Sequence, residues 1–308
     1  MGPPAMALIG VSEAVRNLRE EVATAGASGA RVLITGDTGT GKEVVAHMLH
    51  AQSGRGARRP LMSLNCGGLP ETLLESELFG HERGSFTGAD QARAGILGSA
   101  DGGTVFLDEV GELSLRMQSL LLRFLDNGEI QRVGARGPQQ VDVRVIAATN
   151  IDLAASVATR SFRQDLFYRL NVVRLQTTAL RDRREDIPVL LAHFLGIYAE
   201  HSSAPVPVIT PGALARLVQH DWPGNVRELR NMAERLVAAE RTQPVDLEDV
   251  SGVLEVMRPL LDRSKPLAAC PAGGTVDASL DFEHALGVVG GRRRHPVGNL
   301  GKCTGGTR

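Results

Sequence analysis

The sequence predicts an α/β protein in which a parallel sheet is sandwiched by helices and followed by a small all-helical domain. Two observations predict this architecture. From residue 9 to residue 175, apolar runs of buried-strand length alternate with helical patterns, which is typical of a parallel sheet covered on both faces. From residue 176 to residue 256 only helical patterns occur. Residues 1–8 form a short lead.

The composition is that of an ordinary globular protein, with 43% hydrophobic and 22% charged residues among 308. The formal net charge of -1 argues against a globally basic coat for nucleic acid. No apolar run approaches about 18 residues and no signal-peptide pattern occurs, so we expect neither membrane insertion nor export. Cys66, Cys270 and Cys303 match no disulfide or metal framework, which favours a reducing cytoplasm.

The first elements form the opening of a parallel α/β unit. Val11, Val15, Leu18 and Val22 recur at helical spacing and predict an amphipathic helix. The run "RVLITG" then predicts a strand that ends in glycine, and "GKEVVAHMLHAQ" predicts the next helix. Strand, glycine-rich turn and helix in this order are typical of a nucleotide-binding unit.

Three more apolar runs predict strands, namely "LMSLN" (61–65), "TVFLDE" (104–109) and "VRVIAATN" (143–150). Helical patterns such as "SLRMQSLLLRFLDNG" lie between them. The helical domain is predicted from "REDIPVLLAHFLGIYAEH", "TPGALARLVQHDW" and "GNVRELRNMAERLVAAE". Proline, glycine and basic residues dominate residues 257–308, which predicts a tail of low order.

The segment "GDTGTGKE" has the G-x-x-x-x-G-K spacing of a phosphate-binding loop and stands between a predicted strand and a predicted helix. Glycines let backbone N–H groups point at phosphate oxygens, and the helix N-terminus adds partial positive charge. Lys42 would neutralise the outer phosphates, and Glu43 replaces the usual Ser or Thr ligand of Mg²⁺. The alternative is a glycine turn with a surface lysine. The residues predicted to bind the nucleotide here are Gly36, Asp37, Thr38, Gly39, Thr40, Gly41, Lys42 and Glu43.

Two carboxylates follow the run "TVFL", at the edge of the sheet where parallel folds bind ligands. Asp108 would hold Mg²⁺, directly or through water, and Glu109 would polarise the attacking water as general base. A solvated strand cap is the alternative for such a pair when it stands alone. The upstream phosphate-binding loop favours the catalytic interpretation.

Four more polar residues are candidates for the same site. Asn150, at a third strand end, could orient water or the γ-phosphate, although asparagine also simply terminates strands. Arg163 and Arg169, six residues apart, could supply positive charge to a neighbouring subunit's phosphates, or could be surface arginines. Arg227, at a helix start in "WPGNVREL", could reach the phosphates across a cleft or form a surface salt bridge.

Taken together, these elements resemble the central domain of bacterial enhancer-binding proteins, the AAA+ activators of sigma-54 RNA polymerase. The resemblance covers about residues 8–255. The matching motifs are "GDTGTGKE", "LNCGGLPETLLESELFGHERGSFTGA", "ADGGTVFLDEVGEL", "LLRFLDNGEIQRVG", "DVRVIAATNIDL", "FRQDLFYRLNVV", "RREDIP" and "WPGNVREL". The family also carries glutamate at the position of Glu43.

The resemblance implies a P-loop AAA+ sheet with a helical lid domain, and an ATPase that uses Mg²⁺. It implies that Asn65 pairs with the catalytic Glu109 and relays the nucleotide state, that Asn150 is the sensor and that Arg227 is the second sensor. By the same matching, Arg163 and Arg169 act in trans. Active sites completed by a neighbour imply a homo-oligomeric ring, expected to be a hexamer.

The resemblance also explains "ERGSFTGADQARAG", a polar glycine-rich stretch with an exposed phenylalanine. In the family this loop rises from the ring during the ATP cycle and engages sigma-54, so that a partner receives the aromatic ring. Flanking glycines permit a hinge motion. The loop comprises Gly84, Ser85, Phe86, Thr87, Gly88 and Ala89, and serine stands at residue 85 where alanine is usual in the family. The implied function is transcription activation by remodelling the closed complex of the sigma-54 RNA polymerase holoenzyme to promote open-complex formation.

The two ends depart from the family pattern. Many members have an N-terminal regulatory domain, and here control would come from a separate regulatory protein. Most members end in a helix-turn-helix that binds enhancer DNA; "SLDFEHALGVVGG" could begin one, but "RRRHPVGNLGKCTGGTR" has too little apolar spacing to complete it. This indicates truncation or a shifted reading frame. The basic run at residues 292–294 could contact phosphates without sequence specificity, or could simply be solvated.

Three other interpretations stay open at this point. One is another AAA+ machine, such as an unfoldase or helicase loader, which an aromatic and basic pore loop would favour and which "GSFTGA" does not. A second is a nucleotide-gated interaction or DNA-binding scaffold, and the presence of Lys42, Asp108, Glu109 and Arg163 argues against it. The third is an active ATPase that cannot find its promoter because its tail is damaged.

Overall fold

The structure, a computed structural model, describes residues 7–56, 59–85, 89–239 and 243–257. Its strands are β1 (Val32–Thr35), β2 (Leu61–Asn65), β3 (Thr104–Asp108), β4 (Glu129–Ile130), β5 (Gln139–Gln140), β6 (Arg144–Thr149) and β7 (Val173–Gln176). A five-stranded parallel sheet has the order β2-β3-β6-β1-β7, and β4 pairs with β5 in a separate antiparallel ribbon. The predicted parallel sheet is therefore confirmed.

Among the described residues, seven helices belong to the α/β part, and four further helices form a second unit. Those of the α/β part are α1 (Glu13–Ser28), α2 (Lys42–Ala51), α3 (Glu71–Phe79), α4 (Gly95–Ser99), α5 (Leu115–Asn127), α6 (Leu153–Ala158) and α7 (Gln164–Leu170). Those of the second unit are α8 (Asp186–Ser202), α9 (Pro211–Gln219), α10 (Asn225–Ala238) and α11 (Leu247–Met257). Short 3₁₀ turns lie at Val110–Glu112 and Leu180–Asp182.

The sheet separates two hydrophobic cores, because alternate side chains of each strand point to opposite faces. Leu33, Val105 and Val145 belong to one core, while the adjacent Ile34 and Phe106 belong to the other. Every residue of β6, near the middle of the sheet, is buried. The helical unit has a third core around the fully buried Trp222, whose indole N–H donates to the carbonyl of Leu217 at 2.9 Å.

Two elements differ from the sequence-based predictions. Helix α1 begins at Glu13 with Ser12 as its N-cap, so Val11 precedes the helix and is 42% exposed. The remainder of the stripe, which runs through Val15, is buried as expected. Strand β7 was not predicted, because it is a short edge strand in which only Leu175 is fully buried and an apolar run is therefore absent.

The second unit is helical as predicted, and its first helix begins ten residues beyond the last strand residue, Gln176. Predictions that concern residues 258–308, including a helix-turn-helix and the basic run at 292–294, lie outside the described residues. Within the part of the chain that the structure describes, no helix combines the length and apolarity that crossing a bilayer requires.

Candidate nucleotide-binding site

The candidate residues meet at the carboxyl edge of the sheet. The phosphate-binding loop follows β1, Asp108 ends β3 and Asn150 follows β6. Asn65 ends β2 and lies opposite Asp108 in the parallel register. In parallel sheets this edge is where ligands bind, since helix N-termini and loops converge there.

The loop between β1 and α2 has the backbone that phosphate binding needs. Gly36, Gly39 and Gly41 have φ values of 150°, 80° and 105°, in a region that L side chains rarely adopt. Helix α2 begins immediately afterwards, at Lys42, so its free N–H groups face the loop. The hydroxyl of Thr40 steadies the turn by donating to the Asp37 carbonyl at 2.8 Å.

Lys42 is enclosed by this loop and is only 8% exposed. Its ammonium donates to the carbonyls of Gly36 at 2.7 Å and Asp37 at 3.1 Å. Burial lowers the pKa of Lys42, while the nearby carboxylates of Asp108 and Glu109 act to raise it. The site therefore places one cation beside two anions at the end of the loop.

Glu109 directly follows β3 in an unusual backbone conformation. Its φ of 56° and ψ of 42° are left-handed, and its N–H donates to the Asp108 carboxylate at 3.0 Å. Left-handed backbone is costly for a non-glycine residue and recurs at functional sites. A methyl group on Gly67 would lie 2.6 Å from the Glu109 carboxylate, so glycine leaves the space that this side chain occupies.

Asn65 lies next to this carboxylate but is engaged elsewhere. Its side-chain oxygen accepts a hydrogen bond from the N–H of Gly67 at 2.8 Å. Among the described residues it makes no hydrogen bond with Glu109, although Gly67 adjoins both side chains. The predicted pairing of Asn65 with Glu109 is therefore not formed in this structure, in which the described side-chain hydrogen bond of Asn65 is the one that its oxygen accepts from Gly67.

Cys66, between these residues, is buried and unpaired. Burial raises its pKa to about 12, and the charges of Asp108 and Glu109 add to that effect. A thiol that remains protonated at neutral pH is a poor nucleophile. Its N–H supports the site instead, by donating to the Asp108 carbonyl at 2.9 Å.

Asn150 reaches the phosphate-binding loop from the third strand. Its amide donates to the hydroxyl of Thr38 at 3.0 Å. An exposed ion pair joins Arg181 to Asp37 at 3.3 Å on the same loop. The predicted sensor position thus contacts the loop directly.

The lid domain contacts the loop through the start of α10. The N–H of Arg227 donates to the Gly39 carbonyl at 3.3 Å, and a methyl group on Gly39 would lie 2.3 Å from the carbonyl oxygen of Gly224. Burial is the main cause of the lowered pKa of Lys42, and the Arg227 charge lowers it further. The predicted second-sensor residue therefore contacts the phosphate-binding loop through its backbone N–H.

Sequence reasoning missed two residues of this junction. Asn225, with φ 54° and almost complete burial, donates to the Thr38 carbonyl at 3.0 Å and accepts from the N–H of Leu180 at 2.8 Å. Thr177 shares a hydrogen bond of 2.7 Å with Thr40. The quoted motif "WPGN" carried a signal for Asn225, because asparagine tolerates left-handed backbone at a turn.

Arg163 and Arg169 are occupied away from the loop of their own subunit. Arg163 is exposed and paired with Asp165 at 2.7 Å, and this hydrogen bond raises the pKa of Arg163. Arg169 contacts Asp126 at 2.6 Å. Arg163 lines an open depression of about 720 Å³ with exposed Leu115 and Tyr168. The described hydrogen bonds and ion pairs of Arg163 and Arg169 do not involve the phosphate-binding loop.

The loop predicted to engage sigma-54 is described only at its base. Phe86, Thr87 and Gly88 lie outside the described residues. The N–H of Gly84 donates to the Ala89 carbonyl at 2.8 Å and closes the base.

Ser85 packs at this base against the backbone of a second loop. Its buried hydroxyl has no hydrogen-bond partner among the described residues, and a methyl group on Gly134 would lie 2.9 Å from the Ser85 Cβ. A backbone hydrogen bond from the N–H of Glu82 to the Val133 carbonyl and one from the N–H of Val133 to the Gly80 carbonyl, both at 2.9 Å, hold the two loops together.

The donor set fits a nucleotide and Mg²⁺. Lys42, loop N–H groups and a helix N-terminus suit phosphates. Across the described residues, no cluster of three or more His, Cys, Asp or Glu side chains could hold a metal unaided. Mg²⁺ commonly takes one or two carboxylates together with phosphate oxygens and water, so Asp108 and Glu109 satisfy what the chain must supply.

Comparisons with known proteins agree with this geometry. Residues 8–176 match the family model described as the sigma-54 interaction domain, and residues 181–264 match the AAA+ ATPase lid domain. The chain is 46% identical over 292 residues to the transcriptional regulatory protein ZraR of Escherichia coli strain K12, covering 92% of this chain and 66% of that protein. It is 45% identical over 251 residues to the DNA-binding transcriptional regulator NtrC of the same strain, covering 82% and 53%.

Solved structures of NtrX from Brucella abortus are also similar. The complex with ADP has a TM-score of 0.73 at 39% identity and covers 79% of this chain and 54% of that one. The complex with ATP has a TM-score of 0.74 at 36% identity and covers 83% and 61%. The chain thus spans less than two thirds of the length of these relatives.

Proposed function

The chain belongs to the family defined by the sigma-54 interaction domain, and on this premise we propose that it is an ATPase that activates transcription. Its action would be to remodel the closed complex of the sigma-54 RNA polymerase holoenzyme so that the promoter opens. The observation that carries the proposal is the convergence of Lys42, Asp108 and Glu109 at one sheet edge. A polymerase target implies a cytoplasmic site of action.

The residues of the phosphate-binding loop and the two carboxylates have different roles in hydrolysis. Lys42 and the N–H groups at the start of α2 bind the β- and γ-phosphates. Asp108 holds the metal ion, and Glu109 accepts the proton of the attacking water. Mg²⁺, when bound, neutralises negative charge that develops on the phosphoryl oxygens. Asn150, which contacts Thr38, senses displacement of the loop.

The arginines of α7 suit an active site in the neighbouring subunit. Arg163 and Arg169 are both exposed, and their ion pairs are with Asp165 and Asp126 and not with the phosphate-binding loop of their own subunit. An arginine supplied in trans stabilises charge on the transferred phosphoryl group. In a homo-oligomeric ring, expected to be a hexamer, Arg163 and Arg169 of each subunit would lie beside the nucleotide of the neighbouring subunit. Asp165 and Asp126 would hold the arginines until then.

The experiment that tests the function joins ATP turnover to sigma-54 capture. Lys42→Ala should abolish ATP binding because the phosphate charge is no longer neutralised. Glu109→Gln should bind ATP, lose roughly 100-fold or more of its turnover because the base is absent, and retain sigma-54. Phosphate release and pull-down of purified sigma-54 with ATP or an aluminium fluoride complex measure these outcomes.

Two controls make the result specific. Glu77→Gln makes the same charge change on an exposed face of α3 and should leave turnover and capture unchanged. Thr87→Ala, in the predicted contact loop, should keep ATPase activity and lose capture. Turnover without any sigma-54 capture would favour another AAA+ machine, and nucleotide binding without turnover in the unaltered chain would favour the scaffold.

A further inference from the structure

Asp186, at the start of α8 in the lid, is fully buried and holds the segment that precedes α1. Its carboxylate accepts hydrogen bonds from the N–H groups of Val11 and Ser12 and from the Ser12 hydroxyl, the last two at 2.7 Å. These contacts join residues about 175 positions apart in sequence. One carboxylate thus ties the beginning of the chain to the lid.

Glycine permits this close approach. A methyl group on Gly10 would lie 2.8 Å from three atoms of the Asp186 carboxyl group, so any larger residue would force that carboxyl group to shift. On its other side the segment is fixed to the α/β part, because Arg19 of α1 donates to the carbonyls of Leu8 and Gly10, each at 2.7 Å. The segment of residues 8–12 is therefore held between the two domains.

Arg183 continues the connection from Asp186 to the phosphate-binding loop. It is 3% exposed, and its guanidinium lies 3.8 Å from the Asp186 carboxylate. A second nitrogen of the same group donates to the Thr40 carbonyl at 3.1 Å. Within the described ranges, its buried Nε has no hydrogen-bond partner.

This arrangement is costly as a purely structural device. Two charges have been removed from water, and one guanidinium donor remains unsatisfied. Buried ion pairs with imperfect geometry are often no better for stability than apolar residues of similar volume. What the pair supplies that apolar residues could not is a donor directed at the backbone of the phosphate-binding loop.

We propose that Arg183 is a positioning residue of the nucleotide site and that Asp186 makes its position depend on the segment of residues 10–12. The inference rests on the proposed function, since it assumes that the loop containing Thr40 binds ATP. The N–H groups of that loop must converge on the phosphates, and Arg183 fixes the carbonyl of Thr40 on the opposite side of the chain. Because coupling is reciprocal, a force on the segment before α1 would change ATP affinity, and nucleotide would change the mobility of that segment.

The test measures ADP affinity by the anisotropy of a fluorescent ADP derivative, together with the melting temperature of each variant. Arg183→Met should weaken ADP binding about tenfold because the Thr40 carbonyl loses its donor. Arg183→Lys should recover part of that loss. Asp186→Asn and Ser12→Ala should weaken binding severalfold without touching the loop.

The neighbouring arginine provides a matched control. Arg184 donates to the carbonyls of Val218 and His220 and pairs with Asp221, all within the lid. Arg184→Met should therefore leave ADP affinity unchanged even if it lowers the melting temperature. A double variant of Arg183→Met and Asp186→Asn should bind no more weakly than Arg183→Met, because both changes interrupt one connection.

Three results would overturn the inference, and one of them would also overturn its premise. Unchanged ADP affinity in folded Arg183→Met would refute the positioning role. Additive losses in the double variant would refute the dependence on Asp186. If Arg183→Met does not fold, Arg183→Lys and Ser12→Ala carry the same comparison. An unaltered chain that binds no ADP would remove the proposed function itself, which distinguishes the two failures.

Discussion

Glu109 and Asn225 hold left-handed backbone conformations, with φ of 56° and 54°, on opposite sides of the nucleotide site. Asparagine adopts this region at modest cost, whereas glutamate does so rarely. At Glu109 this backbone lets the N–H donate to the Asp108 carboxylate, while the Glu109 carboxylate occupies the space left by Gly67. Individual residues thus position the catalytic group through steric limits on the backbone.

Ser85 offers a residue-scale prediction, because its hydroxyl is buried and has no hydrogen-bond partner in the part of the chain that the structure describes. Such a group loses its hydrogen bonds to water on folding, at a cost of about 1–3 kcal/mol. Ser85→Ala should therefore stabilise the protein by about 1 kcal/mol, measured by urea denaturation.

A satisfied hydroxyl provides the matched control. Ser53 donates to the His50 carbonyl at 2.6 Å and accepts from Gly56 at 3.2 Å. Ser53→Ala should destabilise the protein by about 1 kcal/mol, the opposite sign. Equal effects of the two substitutions would show that the Ser85 hydroxyl finds a partner.

At the scale of elements, Arg144 joins two helices to the sheet at the edge opposite the nucleotide site. This first residue of β6 is 3% exposed. It donates to the carbonyls of Ala25 and Gly26 near the end of α1 and to that of Leu49 near the end of α2, at 2.8 to 3.4 Å. Burial lowers its pKa, and the partial negative charge of the helix C-termini compensates the guanidinium.

Arg144→Met should test whether this cation holds the elements together. Methionine fills similar space but offers no donor, so the helix-terminal carbonyls lose their partners. We expect a loss of about 3 kcal/mol in the free energy of unfolding. Nucleotide affinity should not change, because the phosphate-binding loop lies at the other end of the strands.

Arg123→Met is the control for this prediction. Its side chain is 56% exposed and pairs with Glu129 at 3.7 Å, so the expected loss is at most about 1 kcal/mol. Urea denaturation followed by circular dichroism compares the variants. A loss for Arg144→Met no larger than that for Arg123→Met would contradict the interpretation.

At the scale of the whole molecule, the proposed active site is divided between subunits. One protomer offers Lys42, Asp108 and Glu109, while its own Arg163 and Arg169 pair with Asp165 and Asp126 instead. A lone chain would therefore lack the positive charge that phosphoryl transfer needs opposite the phosphate-binding loop. Activity should depend on assembly.

Mixing two inactive variants tests this division. Arg163→Ala and Glu109→Gln should each show little turnover alone. Their mixture should recover part of it, because some sites then pair an intact Glu109 with an intact Arg163. The specific activity of the unaltered chain should also rise with protein concentration.

Arg16→Ala, on an exposed position of α1, is the control and should behave like the unaltered chain. Specific activity that is independent of concentration, with no recovery on mixing, would contradict a shared site.

Sequence patterns alone were sufficient to predict the phosphate-binding loop and the strand that precedes the two carboxylates. The succession of strand, glycine-rich loop and helix predicted the position of Lys42, and the apolar run before Asp108 and Glu109 predicted that they would lie at the same edge. These features depend on neighbouring residues, through the period of side chains along a strand and the steric freedom of glycine. Strand β7 escaped prediction because an edge strand buries too few side chains to leave an apolar run.

Only the tertiary structure decided how distant residues meet. Asn225 and Arg183 contact the phosphate-binding loop from the lid, and Asp186 holds Ser12, across separations of more than 140 residues. The hydrogen bond from the Gly67 N–H to the Asn65 side-chain oxygen was likewise not evident from the sequence. Sequence periodicity shows which face of an element is buried, but the partner of a buried polar group depends on which elements pack against it, and that is a property of the assembled fold.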